Sequence, residues 1–145
     1  SRAAFKNLGF HVLENDVYNL EISGHLLQIA GITDPAAARF NQELPNLAKI
    51  AEKYKPESFK IMLAHQPFIA PQVSKIGTHL QFSGHTHGGQ FFPWNYLIVF
   101  FQKYVKGLYQ IDDMQLYVNQ GTGYWGPSLR LGTYSEITEI FLRKE

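Results

Sequence analysis

The sequence predicts an α/β fold, and three observations carry that expectation. Strand-length apolar runs alternate with helix-like patterns through the first half of the chain. Strand patterns follow one another in the second half. The run at 59–64 is almost continuously apolar on its inner positions, as strands of a covered sheet are. Together these point to a mixed sheet, or two packed sheets, with helices outside.

Each element has its own signal. Residues 1–8 read as the end of a helix with Gly9 as its stop. Residues 10–13 are a short strand candidate, and Glu14-Asn15-Asp16 a turn. Residues 18–22 alternate apolar and polar with period two; after Ser23-Gly24 the segment 26–32 returns as a hairpin partner. Asp34 and Pro35 open a helix as N-cap and first helical residue. Phe40, Leu44, Leu47, Ile50 and Ala51 continue at helical spacing through 36–54, with a break expected at Pro45. The buried strand at 59–64 leads into His65-Gln66-Pro67, a short helix at 70–76, and a strand at 80–83 that ends in a glycine-rich histidine loop. Segments 107–111, 114–119 and 136–142 are further strands, the first two joined by a tight turn at Asp112-Asp113.

Composition narrows the function classes. The 145 residues fit one domain, and 45% hydrophobic with 17% charged residues describes a globular chain. A net charge of +1 without a basic run gives no electrostatic argument for nucleic acid, so no nucleic-acid partner is expected. The absence of cysteine excludes a disulfide framework and a thiolate metal site. The first residues carry no signal-peptide core. The most apolar stretch, 91–101, contains Pro93 and Asn95 and is about half the length of a membrane-spanning helix. The expectation is a soluble chain that touches a membrane peripherally at most. A start without methionine, directly on a helix-like segment, leads us to expect a piece of a longer protein.

Two strand ends carry histidines: Leu63-Ala64-His65-Gln66-Pro67 and Ser83-Gly84-His85-Thr86-His87-Gly88-Gly89-Gln90. In open α/β sheets, ligands bind beyond the carboxyl ends of strands. Imidazole suits zinc, iron and manganese. In extended backbone, His85 and His87 would present both rings on one face. Gly84, Gly88 and Gly89 permit left-handed backbone and close approach of a substrate. His11, His25 and His79 lack such surroundings and read as ordinary core or surface histidines.

The histidine loop resembles the last metal motif of the calcineurin-like metallophosphoesterases, and residues 63–67 resemble the motif before it. The Gly-Gly-Gln extension, the closing segments 117–123, 129–132 and 135–137, and the opening 8–15 are similar to the membrane-associated, YkuE-like branch. The likeness covers nearly the whole chain. It implies the C-terminal half of a four-layer α/β/β/α sandwich, with residues 1–145 as part of a single domain. It implies that His65 and His85 bind one divalent ion and His87 a second, the pair being manganese, iron or zinc. The implied reaction is hydrolysis of a phosphate ester by a hydroxide bridging two ions.

The family's Asp-x-His, Gly-Asp-x-x-Asp and Gly-Asn-His motifs do not occur here. Three neutral histidines offset none of the four positive charges that two divalent ions bring. The only aspartates are Asp16, Asp34, Asp112 and Asp113, none near the histidine motifs in sequence. The chain alone is therefore expected to bind metal weakly and to be inactive.

The aromatic segment 91–101, followed by Lys103 and Lys106, reads either as core or as a lip facing anionic lipid. A lip would suit a phospholipid or lipid-linked phosphate as substrate and a membrane-associated parent. Arg130, in a glycine-bordered loop, is a candidate phosphate-binding residue, with a solvated surface arginine as the alternative. A non-catalytic metal- or membrane-binding module, or a structural domain, stays open beside the hydrolase. An unpaired sheet edge leads us to expect dimerisation.

Overall fold

The computed structural model describes residues 2–40 and 43–143. Helix α1 (Arg2–Asn7) ends before Gly9, whose φ of +83° supplies the left-handed stop; Ser1 lies outside the described residues. Strands β1 (Asp16–Ile22) and β2 (His25–Gly31) form the expected antiparallel hairpin, turned by Ser23 and Gly24 at positive φ. Strand β3 (Phe59–Leu63) and strand β4 (Leu80–Ser83) follow, and β5 (Gly107–Ile111) with β6 (Met114–Val118) make the second hairpin around Asp112-Asp113.

The six strands form one mixed sheet in the order β1-β2-β3-β4-β6-β5. The inner pairs β2–β3, β3–β4 and β4–β6 are parallel, and the outer pairs are antiparallel. The α/β expectation therefore holds. Four parallel strands release their carboxyl ends along one edge, which is where both histidine motifs lie.

One face of the sheet is covered by helices. Helix α2 (Leu47–Ala51), capped by Asn46 through the Lys49 amide at 3.0 Å, contributes Ile50; helix α3 (Ala70–Ser74) contributes Ala70 and Val73. These pack on Ala30, Met62, Met114, Leu116 and Val118, all fully or nearly fully buried. The other face carries Ile29, Ile61 and Leu80 in register, with Ile22, Phe59, Leu63 and Leu108 exposed.

Three expected elements take another form. The long helix at 36–54 is a 3-10 turn at Pro35–Phe40 and then the short α2; residues 41–42 lie outside the described residues. Pro45 separates the two pieces, as its missing N–H demands. Residues 10–13 form no ladder: they cross β2 so closely that a Cβ on Gly31 would stand 2.4 Å from Leu13 Cβ. Residues 136–142 also form no strand. Glu136 and Thr138 bond to side chains at the end of β6, which is already paired on both sides, so no ladder position is open to them.

Candidate metal centre

The backbone ladder continues past the formal strand ends and sets the histidines side by side. The Ala64 N–H donates to the Phe82 carbonyl at 3.0 Å, and the Gly84 N–H to the His65 carbonyl at 3.0 Å. The Asn119 N–H bonds to the Ser83 carbonyl at 2.8 Å, carrying the β6 end into the same row. His65 and His85 thus meet at the tips of β3 and β4. Their rings stand edge to face with centroids 5.1 Å apart, and His65 Nε2 lies 3.3 Å from His85 Nδ1.

The loop from 85 to 90 is not extended, contrary to the sequence reading. His85, His87 and Gln90 have φ of 72°, 51° and 54°, and Gly88 and Gly89 are also left-handed. A left-handed non-glycine residue costs on the order of 1 kcal/mol or more, and such strain collects at functional sites. Thr86 turns inward and donates to the Val105 carbonyl, leaving the flanking imidazoles to face one cavity. That cavity, of about 380 Å³, is bounded by His65, His85 and His87 together with Trp94, Ile98, Phe101 and Trp125. The three histidines expected from sequence are therefore brought together.

Electrostatics favours neutral rings. Burial pushes the His85 imidazole below its usual range, the His65 ring adds to this, and Asp34 opposes it. Burial likewise pushes His87 down, with the Arg130 charge acting in the same direction and the Gly123 carbonyl against it. Neutral imidazole is the form that binds metal. His87 Nδ1 is buried and has no hydrogen-bond partner, a costly state for a polar nitrogen unless a ligand completes it.

The donor geometry fits a divalent ion. Two nitrogens held about 2.1 Å from a tetrahedral zinc stand about 3.4 Å apart, close to the 3.3 Å between His65 and His85. The set is incomplete, however. Among the described residues no group of three or more histidine, cysteine or acidic side chains is placed to hold one ion.

Arg130 is committed elsewhere. Its Nη1 donates to the carbonyls of His87 and Tyr134 (3.2 and 3.1 Å), and its Nη2 to those of Gln120, Gly121 and Gly123 (2.8, 3.1 and 2.7 Å). It straps the loops behind the histidines. His79 accepts from the Lys60 amide at 2.9 Å and stacks on Phe59, and His11 packs on Tyr18, as structural histidines do.

Comparison with known proteins decides the family. An uncharacterized metallophosphoesterase of Campylobacter jejuni is 37% identical over 139 residues, covering 95% of this chain and 36% of that protein. The YkuE metallophosphoesterase of Bacillus subtilis is 31% identical over 150 residues, covering 97% and 51%. A bovine transmembrane protein with a metallophosphoesterase domain is 36% identical over 120 residues, covering 79% and 27%. The chain belongs to the metallophosphoesterase family. It spans between about a quarter and a half of these metallophosphoesterases. No family model and no solved structure matches it. Among the described residues no helix is long and apolar enough to cross a membrane.

Three residues around this candidate site are given no site role of their own by the sequence. Asp34 was read as an N-cap, and it does accept from the Ala36 amide at 2.7 Å, but it also accepts from Gln66 Nε2 at 2.8 Å beside His65. Gln90 and Trp125 meet across 35 residues of sequence, so no local pattern announces them.

Proposed function

We propose that this chain carries part of the dinuclear centre of a metal-dependent phosphoester hydrolase. His65 and His85 would hold one ion and His87 the other. The observation that supports this most is the convergence of His65 Nε2 and His85 Nδ1 at 3.3 Å, with His87 lining the same cavity. Divalent ions bound there would supply an activated water and neutralise phosphate charge. The chain's own groups do the rest: burial favours the neutral form of His85 and His87, and the strained loop holds both at the cavity. Arg130 acts through its positive charge behind His87 rather than by gripping phosphate, because its Nη atoms are spent on carbonyls.

The reading has a second part, carried by charge: three neutral imidazoles offset none of the charge of two divalent ions. The chain alone holds manganese, iron or zinc weakly and hydrolyses little. Carboxylate ligands would come from the remainder of a protein of the relatives' length. A non-catalytic metal-binding module is the rival.

The aromatic segment supports a lipid-linked substrate and a membrane-associated parent. Phe92, Tyr96, Val99, Phe100 and Phe101 are all more than half exposed, beside the histidine cavity and next to Lys103. Such a surface suits the headgroup region of an anionic bilayer.

Calorimetric titration of manganese into the chain tests the metal reading. We expect weak binding, at least tenfold weaker again in His85→Ala. Tight binding of one ion per chain would favour the non-catalytic module, and binding indifferent to His85→Ala would end the assignment. A protein of the relatives' full length is expected to hydrolyse bis(p-nitrophenyl) phosphate with manganese and to lose activity at least a hundredfold in His87→Ala.

A further inference from the structure

The histidines are only part of the cavity's lining. Trp94, Ile98, Phe101 and Trp125 supply an apolar part. Trp94 is stacked on Phe101 with ring centroids 5.4 Å apart, so its position is set by its own segment. Trp125 is different. It sits in an irregular loop and half of its surface is exposed, yet its backbone is pinned. The fully buried Gln90 does the pinning. Its Oε1 accepts from the Trp125 N–H at 2.8 Å, and its Nε2 donates to the carbonyls of Trp125 and Pro127 at 3.0 and 2.9 Å. The Gln90 carbonyl accepts from Thr133 Oγ1 at 2.6 Å and from the Leu131 N–H at 3.2 Å. Gln90 holds φ 54° and ψ −47°, an unfavourable conformation that these contacts maintain.

A buried glutamine saturated by loop backbone, and an exposed indole held at a cavity wall, make sense together if something apolar covers the indole. We propose that Trp125 and Trp94 form an apolar subsite for the hydrocarbon part of the phosphoester, and that Gln90 is the positioning residue that keeps Trp125 in it. The inference rests on the phosphoester reading for the polar end of the ligand. It adds a specificity determinant that the metal ligands do not supply. The polar wall takes the phosphate and the aromatic wall takes the alcohol's carbon chain. Each methylene removed from water is worth about fourfold in affinity, so a chain of a few carbons seated there outweighs the variation expected among phosphates.

The chain contains two tryptophans, and both line this cavity, so their emission reports on it alone. The test titrates the 145-residue chain, with manganese present, with monomeric hexyl phosphate, inorganic phosphate and hexanol, reading tryptophan emission and heat. Hexyl phosphate is expected to shift emission to the blue and to bind at least tenfold tighter than inorganic phosphate. Trp125→Ala and Gln90→Ala are each expected to cut that preference below threefold while inorganic phosphate affinity stays within twofold. Trp125→Phe, which keeps an aromatic wall, is expected to retain most of it. Equal binding of hexyl and inorganic phosphate, both dependent on manganese, would overturn the subsite and leave the hydrolase reading standing. So would a preference that survives both alanine variants in folded protein. Hexanol binding as tightly as hexyl phosphate would overturn the assignment of the subsite to a phosphoester and leave the hydrolase reading, which expects only weak metal binding by this chain alone, to the manganese titration.

Discussion

A methyl group added at Gly89 would stand 2.4 Å from Asn95 Cα, and the residue has φ +81°. Neither obstacle yields, because the neighbour is backbone. Gly89→Ala is expected to lose about 2–4 kcal/mol of stability, combining strain and overpacking. Gly77→Ala meets nothing within 4 Å at φ +78° and should lose only about 1 kcal/mol. Urea denaturation of the two variants checks the difference. Glu136 gives a pH prediction. Burial raises its pKa, but hydrogen bonds from Tyr117, the Gln120 amide, Thr138 and Gln120 Nε2 outweigh that and bring it down to about 2. A depressed carboxylate stabilises the fold above its unfolded pKa and loses that contribution as pH falls through its folded value. Stability should therefore decline from about pH 4.5 toward pH 2. The group is only half-buried, so solvent screening holds the effect to about 1 kcal/mol. Denaturation across that range should show the decline shrinking in Glu136→Gln. At this scale the histidines were legible because imidazoles and glycines sit together at strand ends. The left-handed φ at His85 and His87 was not, because contacts from distant loops impose it.

Elements were legible where local pattern and local contacts coincide. Both hairpins, α1 and α3 stand where alternation, Gly9 and the Asp112-Asp113 turn put them. The pattern failed at 10–13 and 136–142, where strand-like sequence is held by crossings and side-chain bonds instead of a ladder. It failed again at Gln28, a polar residue in β2 that is fully buried. Its amide donates to Asn19 Oδ1 and the Lys53 carbonyl, and its oxygen accepts from the Lys55 amide and Ser58 Oγ, at 2.7–2.9 Å. Gln28 ties the α2–β3 connection to the sheet. Gln28→Leu would strip Asn19 Oδ1, the Lys53 carbonyl and the Lys55 N–H of their partner, each costing on the order of 1 kcal/mol. The expected loss is about 2–4 kcal/mol, read by thermal or urea unfolding. Retention of full stability would mean that water replaces the amide.

The whole molecule is one sheet with helices on one face, and the uncovered face is where the largest prediction lies. Ile22, Phe59, Leu63 and Leu108 are between 42% and 61% exposed along it. The closing segment borders part of this face, where Thr138 and Ile140 line one pocket with Phe82 and Tyr117. The family likeness implies a second sheet packed there, and the metallophosphoesterase relatives are long enough to carry one, since this chain spans only 36% and 51% of two of them. Bare apolar sheet and the open edges of β1 and β5 favour association between copies. The 145-residue chain is expected to sediment as a dimer or larger and to bind a hydrophobic dye. Changing Ile22, Leu63 and Leu108 to Thr should shift it toward monomer without unfolding it, because these side chains bury little in the single chain. A protein of the relatives' length should bind the dye several-fold less. If the wild-type chain is monomeric and dye-free, this face is not an interface and the four-layer architecture loses its support. If association persists in the triple threonine variant, pairing runs through the strand edges instead, and Pro in β5 at Leu108 becomes the substitution that should abolish it.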